Sequence, residues 1–512
     1  MEPCFLSVTE ASERIAARSL TATAYLESVL GRIAAVDGRV RAYITPMFEE
    51  ARLAAAQADA EIAAGRRRGP LHGIPFAVKD NYHVAGVRTS GGSRLMLDHV
   101  ADQTSTIVAR LQAAGAILLG KLNTWEYGTG NGGVYFDLPF DVARNPWDLD
   151  RFTGGSSTGS GAAVAAGLAP FALGSDTGGS IRLPAAACGL MGLKPTYGRT
   201  SRAGCLPNCW SLDVTGALCW TVADSALVLN TIAGFDASDP ASADRPVPDY
   251  RAGLRDGVRH MVIGLVTGME EEPISPDILA GLEAARAALE AAGARIIDIA
   301  LPEPLARYRQ PAGLINQSES HSIHEADYRD RPELMGQALW EKMTSGSLVR
   351  AADYIAAQRM RRHLAEGTER LFSTCDLLLM PGAFRVAPRF DDAAGTMAFT
   401  RESAMNIASM TGHPAMSVVS GFDAAGMPLN IQLMGPYFEE ARVLRAALVL
   451  EAALADRDRR PALMGGEGPA GTPVPADREA RRTAIAAAVR AAGEALPRLP
   501  AKDDEPANCF RP

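Results

Sequence analysis

The sequence predicts an α/β fold in which a large, mixed β-sheet is sandwiched between helices. Short apolar runs recur from Leu71 onward, each ending in or near Gly, Asp or Lys: IPFAVKD, AILLGK, FALGSDT, GLMGLKPT, MVIGLV, ARIIDIA, DLLLMPG, PAMSVVSGF and LNIQLMG. Stretches of helical periodicity separate them, and that alternation is the signature of layered α/β architecture. The chain has 512 residues and 47% hydrophobic content, enough to bury a core of that size.

Residues 1–70 read as an N-terminal helical layer, from SVTEASERIAARSL through the Ala-rich stretch between Ala51 and Ala64, with Ser7 or Thr9 placed to cap the first helix. Residues 71–460 carry the strand-like runs and form the main domain. Within it, residues 302–371 show charged helical stretches and no clear strand, and are expected to cover the substrate-facing edge of the sheet. After Arg460 the texture changes: MGGEGPAGTPVPAD reads as a linker, REARRTAIAAAVRAAGEAL as a short helix, and the remainder of 461–512 as a flexible tail.

The formal charge of -8, without a long basic run, excludes a nucleic-acid groove, because phosphate binding needs clustered Lys and Arg. No apolar run is long enough for a spanning helix and the first residues lack a leader pattern, so the expectation is a cytoplasmic protein acting on a small molecule, away from membranes. Seven scattered Cys fit reduced thiols; Cys205 and Cys209 in CLPNC read as loop thiols in preference to metal ligands. Oligomeric state stays open, with a homodimer compatible.

The most unusual stretch is RFTGGSSTGSGAAVAAGLAPFALGSDTGGSIR, from Arg151 to Arg182, with two Gly-Gly-Ser turns. A phosphate-binding loop fails because no Lys precedes the Ser or Thr. The string Gly155–Gly159 matches the nucleophile elbow G-x-S-x-G, centred on Ser157, but the polar DLDRFTG stands where that elbow requires a buried strand. The string Gly128–Gly133 matches a dinucleotide pattern, yet VYFDLPFD follows it and no helix can start there. On the residues alone, a tight helix-capping turn remains open.

The pieces LHGIPFAVKDN, AGAILLGKLN, GGSSTGSGAAVAAGLAPFALGSDTGGSIRLPAAACGLMGLKPTYGR, WSLDVTG, TVADSALVL and GMPLNIQLMG together resemble the amidase-signature family. That resemblance makes 71–460 a catalytic domain and implies Ser180 as nucleophile, Ser156 as proton relay behind a cis peptide from Gly155, and Lys79 as base. Thr177, Gly178 and Gly179, with the Ser180 amide, correspond to the family's oxyanion hole. Asp176 and Arg182 correspond to supporting positions, and Gly128 and Thr129 to the substrate pocket, where Trp125 and the extra glycines depart from the usual pattern. Thr158 and Gly161 also replace the commoner residues near the relay serine. Lys121 and Lys194 end apolar runs as Lys79 does, so the choice of base comes from the resemblance.

A lysine serving as base near neutrality must lose about three pKa units from a reference near 10.4, which calls for an enclosed site. Acyl transfer through these residues implies no metal or organic cofactor. His321, His324, Glu319 and Glu325 have helical spacing compatible with a metal but read as a polar helix face, and His413 as structural or substrate-lining. The expected activity is a standalone amidase cleaving a carboxamide or related C–N bond. The alternatives are the glutaminase (A-type) component of a tRNA-dependent amidotransferase, a Ser-His-Asp esterase or hydrolase using Ser157, and a noncatalytic binding protein. The amidotransferase component is disfavoured here because Gln317–Asp327 lacks a Ser-Arg-Tyr-Asp-Gly type motif.

Overall fold

In the computed structural model, residues 2–129, 132–456, 458–463, 465 and 476–494 are described. Eleven strands among them form one sheet: β1 (Tyr43–Pro46), β2 (Pro75–Lys79), β3 (Ile117–Leu122), β4 (Phe171–Asp176), β5 (Met191–Lys194), β6 (Val214–Cys219), β7 (Val262–Thr267), β8 (Arg295–Ala300), β9 (Leu377–Pro381), β10 (Ala415–Phe422) and β11 (Pro428–Met434). Their order is β1-β3-β2-β4-β6-β5-β10-β11-β9-β7-β8. β2 lies parallel to both β3 and β4, and β7 to both β8 and β9, while the central strands pair antiparallel. The sheet is therefore mixed, as the alternating runs predicted.

Every apolar run singled out above is a strand. Most are buried along their whole length, which is why they read as continuous hydrophobic segments without alternation. Two strands escaped notice. β1 is a short, partly exposed edge ending in Pro46, and β6 carries Gly216 and Ala217, residues of weak strand preference, in its middle and is held by pairing with β4 on one side and β5 on the other.

The first helix, Val8–Ala16, is capped by Ser7: its hydroxyl accepts from the Glu10 amide at 3.1 Å, and Glu10 accepts from the Ser7 amide at 2.9 Å. Thr9 is not the cap; its amide and hydroxyl both donate to Asp224 at 2.9 Å. Between β8 and β9 the chain forms three helices, Ala306–Asp330, Gln337–Gly346 and Ala351–Leu371. The helix Arg478–Glu494 packs against the first two of them and the turn Pro332–Leu334 that joins them. Its Arg482 is buried over the Trp340 ring and donates to the Met335 carbonyl at 2.7 Å, while Arg478 pairs with Asp137 at 2.9 Å. Residues 466–475 and 495–512, read as linker and tail, lie outside the described residues, as do Gly130 and Asn131. Among the described residues, no helix is long and apolar enough to cross a membrane.

Candidate active site

Because β2 and β4 are parallel neighbours, their C-terminal ends deliver Lys79 and the Ser175–Asp176 pair to the same edge of the sheet. In open α/β sheets that edge is where ligand crevices form. Lys79 is fully buried, and its Nζ donates to Ser156 Oγ at 2.6 Å and to Ser175 Oγ at 2.9 Å. Burial pulls its pKa down from the ordinary lysine value to about 8, against the opposing influence of Cys205, Asp213 and Asp176. The Gly155–Ser156 peptide is cis. The Ser156 carbonyl accepts from the Trp125 amide and the Thr124 hydroxyl, each at 3.1 Å, which pins the backbone beneath the side chain.

The loop after β4 carries Ser180 into the helix Arg182–Cys188. Asp176 organises it. One carboxylate oxygen accepts from the Gly179 amide at 2.8 Å and from Arg182 Nη2 at 2.9 Å, and the other from the Ile181 amide at 3.1 Å and Arg182 Nε at 3.0 Å. Burial alone would raise the carboxyl pKa, but the Arg182 guanidinium holds it below the usual carboxylate range. Arg182 then ties the loop to Met405, Gln432 and Ser409, each at 2.8 Å.

This geometry changes one expectation. The Gly179 amide is taken by Asp176, whereas the Thr177, Gly178 and Ser180 amides meet no acceptor among the described residues. Thr177, Gly178 and Ser180 line a cavity of about 660 Å³, shared with Gly128 and Thr129; Gly179 does not line it. Gly128 has φ of +68°, and a Cβ there would stand 3.3 Å from Lys79 Nζ and 3.4 Å from Ser156 Oγ. The position demands glycine both for its backbone and for the space beside the two catalytic candidates.

The remaining candidates fall elsewhere. Ser157 is buried under the loop, its hydroxyl 3.3 Å from the Ser175 carbonyl, and does not line the cavity. His413 bonds to Glu369 at 2.7 Å and stacks on Tyr437, so no Ser157-His413 pair forms. His321 meets the Met343 carbonyl, His324 packs on Tyr127, and Glu319 turns to Ser211, Cys209 and Tyr354. No cluster of three metal-ligating side chains occurs among the described residues. Lys121 forms a buried ion pair with Asp80 at 2.8 Å, and Lys194 bonds the Pro195 carbonyl.

Two groups were missed. Asp213 is half-buried behind the loop, accepting from the Asn208 and Cys209 amides at 2.8 Å and from the Thr177 hydroxyl at 2.5 Å. Lys342, on the helix Gln337–Gly346, enters the cavity wall. Nothing in LWEKMTSG distinguishes it from the charged face of an ordinary helix.

The chain matches the family model Amidase over residues 24–444. The A subunit of glutamyl-tRNA(Gln) amidotransferase from Moorella thermoacetica is 39% identical over 489 residues, covering 90% of this chain and 99% of that protein. Its counterpart from Anaeromyxobacter sp. strain K is 38% identical, covering 88% and 97%. Among solved structures, one from the vestigial complex of an s-triazine catabolic enzyme superposes with a TM-score of 0.81 at 33% identity, covering 87% of this chain and 98% of that one. The substrate complex of 6-aminohexanoate cyclic dimer hydrolase also gives 0.81, at 29% identity, covering 90% and 99%. Family model, relatives and fold agree, and the chain belongs to the amidase-signature family of enzymes that hydrolyse C–N bonds.

Proposed function

We propose that the chain hydrolyses an amide through an acyl-enzyme on Ser180, with Ser156 relaying the proton and Lys79 accepting it. The observation that carries this reading is the buried hydrogen bond from Lys79 Nζ to Ser156 Oγ, 2.6 Å long, beside the cavity that Ser180 lines. Ser180 Oγ attacks the carbonyl carbon while its proton moves to Ser156 Oγ and the Ser156 proton to Lys79 Nζ. The oxyanion is received by the Gly178 and Ser180 amides, donors already in place before reaction. Return of the proton along the same path lets the amine leave neutral, and water, activated in the same way, cleaves the ester. Asp176 and Arg182 hold the loop, and Gly128 and Thr129 border the substrate. In this reading residues 71–460 are the catalytic domain, 1–70 a supporting layer and 302–371 the substrate cover.

For the enzyme's setting, the relatives shift the balance from the sequence expectation. The amidotransferase relatives align over nearly their whole length with this chain, so a component that hydrolyses an amide within an amidotransferase assembly is better supported than a standalone amidase. The standalone enzyme is the second reading, favoured by the likeness to 6-aminohexanoate cyclic dimer hydrolase. Ammonia release by the isolated chain, compared with the chain co-expressed with its genomic neighbours, separates the two.

The nucleophile is tested by intact mass after treatment with a fluorophosphonate probe. One adduct is expected on the wild type and none on Ser180→Ala; an adduct that survives in Ser180→Ala would reassign the nucleophile. The base is tested by pH. Because Lys79 must be unprotonated to accept a proton, kcat/KM is expected to rise with pH and level off above about 8, where burial has placed its pKa. A rising limb centred near 10 would mean an ordinary lysine and would remove Lys79 from the role.

A further inference from the structure

A second cavity, of about 480 Å³, lies apart from the Ser180 site and shares no lining residue with it. Gly412 sits in its wall between two tyrosines: a Cβ there would stand 3.4 Å from Tyr197 Cβ and 3.7 Å from Tyr437 Cε1. Both tyrosine hydroxyls are turned into the protein, Tyr197 donating to the Trp210 carbonyl at 2.8 Å and Tyr437 to the Thr411 carbonyl at 2.5 Å. Their rings, with that of Phe438, are therefore what these residues bring to the cavity, and such walls suit a flat, apolar body. Phe438 is held at φ of +65° by the bond from its amide to Thr196 Oγ1 at 2.8 Å; strain of this kind in a residue other than glycine clusters at ligand sites.

The charge of this cavity comes from Arg361, on the helix Ala351–Leu371. Arg361 is half-buried, its Nε donates to the Met410 carbonyl at 3.1 Å, and its guanidinium lies 5.7 Å from the centre of the Tyr197 ring. Neither Nη atom has a hydrogen-bond partner, and no carboxylate pairs with Arg361, among the described residues. The carboxylates that follow it on the helix are committed elsewhere, Glu366 to Arg362 at 2.8 Å and Glu369 to His413 at 2.7 Å. On the facing segment, Glu439 pairs with Arg442 at 3.0 Å and Glu440 accepts from the Thr196 amide at 3.0 Å. A guanidinium anchored through Nε keeps its two Nη groups as a fork, the geometry that takes two oxygens of a carboxylate or phosphate. Partial burial without a counter-charge is a cost that an arriving anion relieves.

We propose that this cavity is a second ligand site, for a planar aromatic molecule carrying a carboxylate or phosphate, with Arg361 binding the anion and Tyr197, Tyr437 and Phe438 flanking the ring. The site stands independently of the chemistry assigned to Ser180. It is nevertheless built on an element the two share. Arg361 and Tyr437 hold the Met410 and Thr411 carbonyls at one end of the helix Met405–Thr411, and Arg182 bonds the Met405 carbonyl and the Ser409 hydroxyl of the same helix.

The test is calorimetric titration of the full chain with phenyl phosphate and benzoate, against inorganic phosphate as the charge without the ring and benzyl alcohol as the ring without the charge. At least one aryl anion is expected to bind the wild type about tenfold more tightly than either control, and the better of the two identifies the anion. Arg361→Met is expected to weaken that binding by about tenfold, the scale of one charge-assisted hydrogen bond. Because Arg361 also holds the Met410 carbonyl, Ala365→Glu serves where Arg361→Met fails to fold. Ala365 lines the cavity one helical turn from Arg361, so the added carboxylate occupies the guanidinium and repels an anion, and aryl-anion binding is expected to be lost. Absence of aryl-anion binding to the wild type, binding no tighter than that of the controls, or binding undiminished in Ala365→Glu overturns the site.

Discussion

Replacing Lys79 by methionine is expected to lower kcat/KM for any amide substrate by about 10⁴-fold, the upper end of what a positioned general base contributes. The fold is expected to persist. Methionine has similar length, and exchanging a buried charge for an apolar side chain of comparable volume is often neutral or stabilising. In the proposed mechanism this removes the acceptor for the proton that Ser156 passes on, together with the donor to Ser156 Oγ and Ser175 Oγ. Labelling by the fluorophosphonate probe is expected to slow with turnover, since both reactions need the same activated serine, while Ser180 remains the labelled residue. Steady-state kinetics on the variant check this directly; a loss of less than tenfold would place the base elsewhere.

Arg182→Met is expected to be the most damaging change to stability, by about 3–5 kcal/mol, because it leaves the Asp176 carboxylate buried without its counter-charge. Arg182 and Asp176 are both fully buried and joined by two hydrogen bonds of 2.9 and 3.0 Å. The same guanidinium holds Met405, Gln432 and Ser409, so its removal loosens the nucleophile loop from the helix Met405–Thr411 and from β11. Urea denaturation measures the loss. The double variant Arg182→Met with Asp176→Asn is expected to recover part of the stability, since no charge is stranded. It is expected to recover little activity, since a carboxamide has one accepting oxygen and cannot serve the Gly179 and Ile181 amides as the two carboxylate oxygens do. Equal stability of single and double variants would show that the ion pair is not the source of the effect.

The fold was legible where burial is uniform. IPFAVKD, FALGSDT and DLLLMPG announce themselves because both faces of each strand are covered, which gives continuous apolar runs too short for a helix and bounded by Gly, Asp or Pro. VTGALC was silent because Gly216 and Ala217 interrupt the strand preference of Val214 and Thr215, and pairing with β4 and β5 holds the segment extended. For the site, spacing alone could not choose among Lys79, Lys121 and Lys194, each in or at the end of a buried strand. Their tertiary partners distinguish them: Lys121 meets a carboxylate, Lys194 a carbonyl and Lys79 two serine hydroxyls. Lys342 was beyond reach for a related reason. Its partners Thr129 and Asn208 come from loops far away in sequence, and only folding brings a helix in the middle of the chain against them.

The walls of the Ser180 cavity have separate origins in the chain. Gly128, Thr177, Gly178 and Ser180 come from the first half, Gln310, Asn316, Glu341, Lys342 and Ser345 from the helices strung between β8 and β9, and Met397, Thr400 and Asn406 from the stretch after β9. That second stretch leaves β8 and returns at β9, and both strands flank β7, so its two ends are fixed to one small corner of the sheet. It can be regarded as a cassette: a lineage that exchanges it inherits the bond-cutting apparatus unchanged while acquiring a new list of molecules to cut.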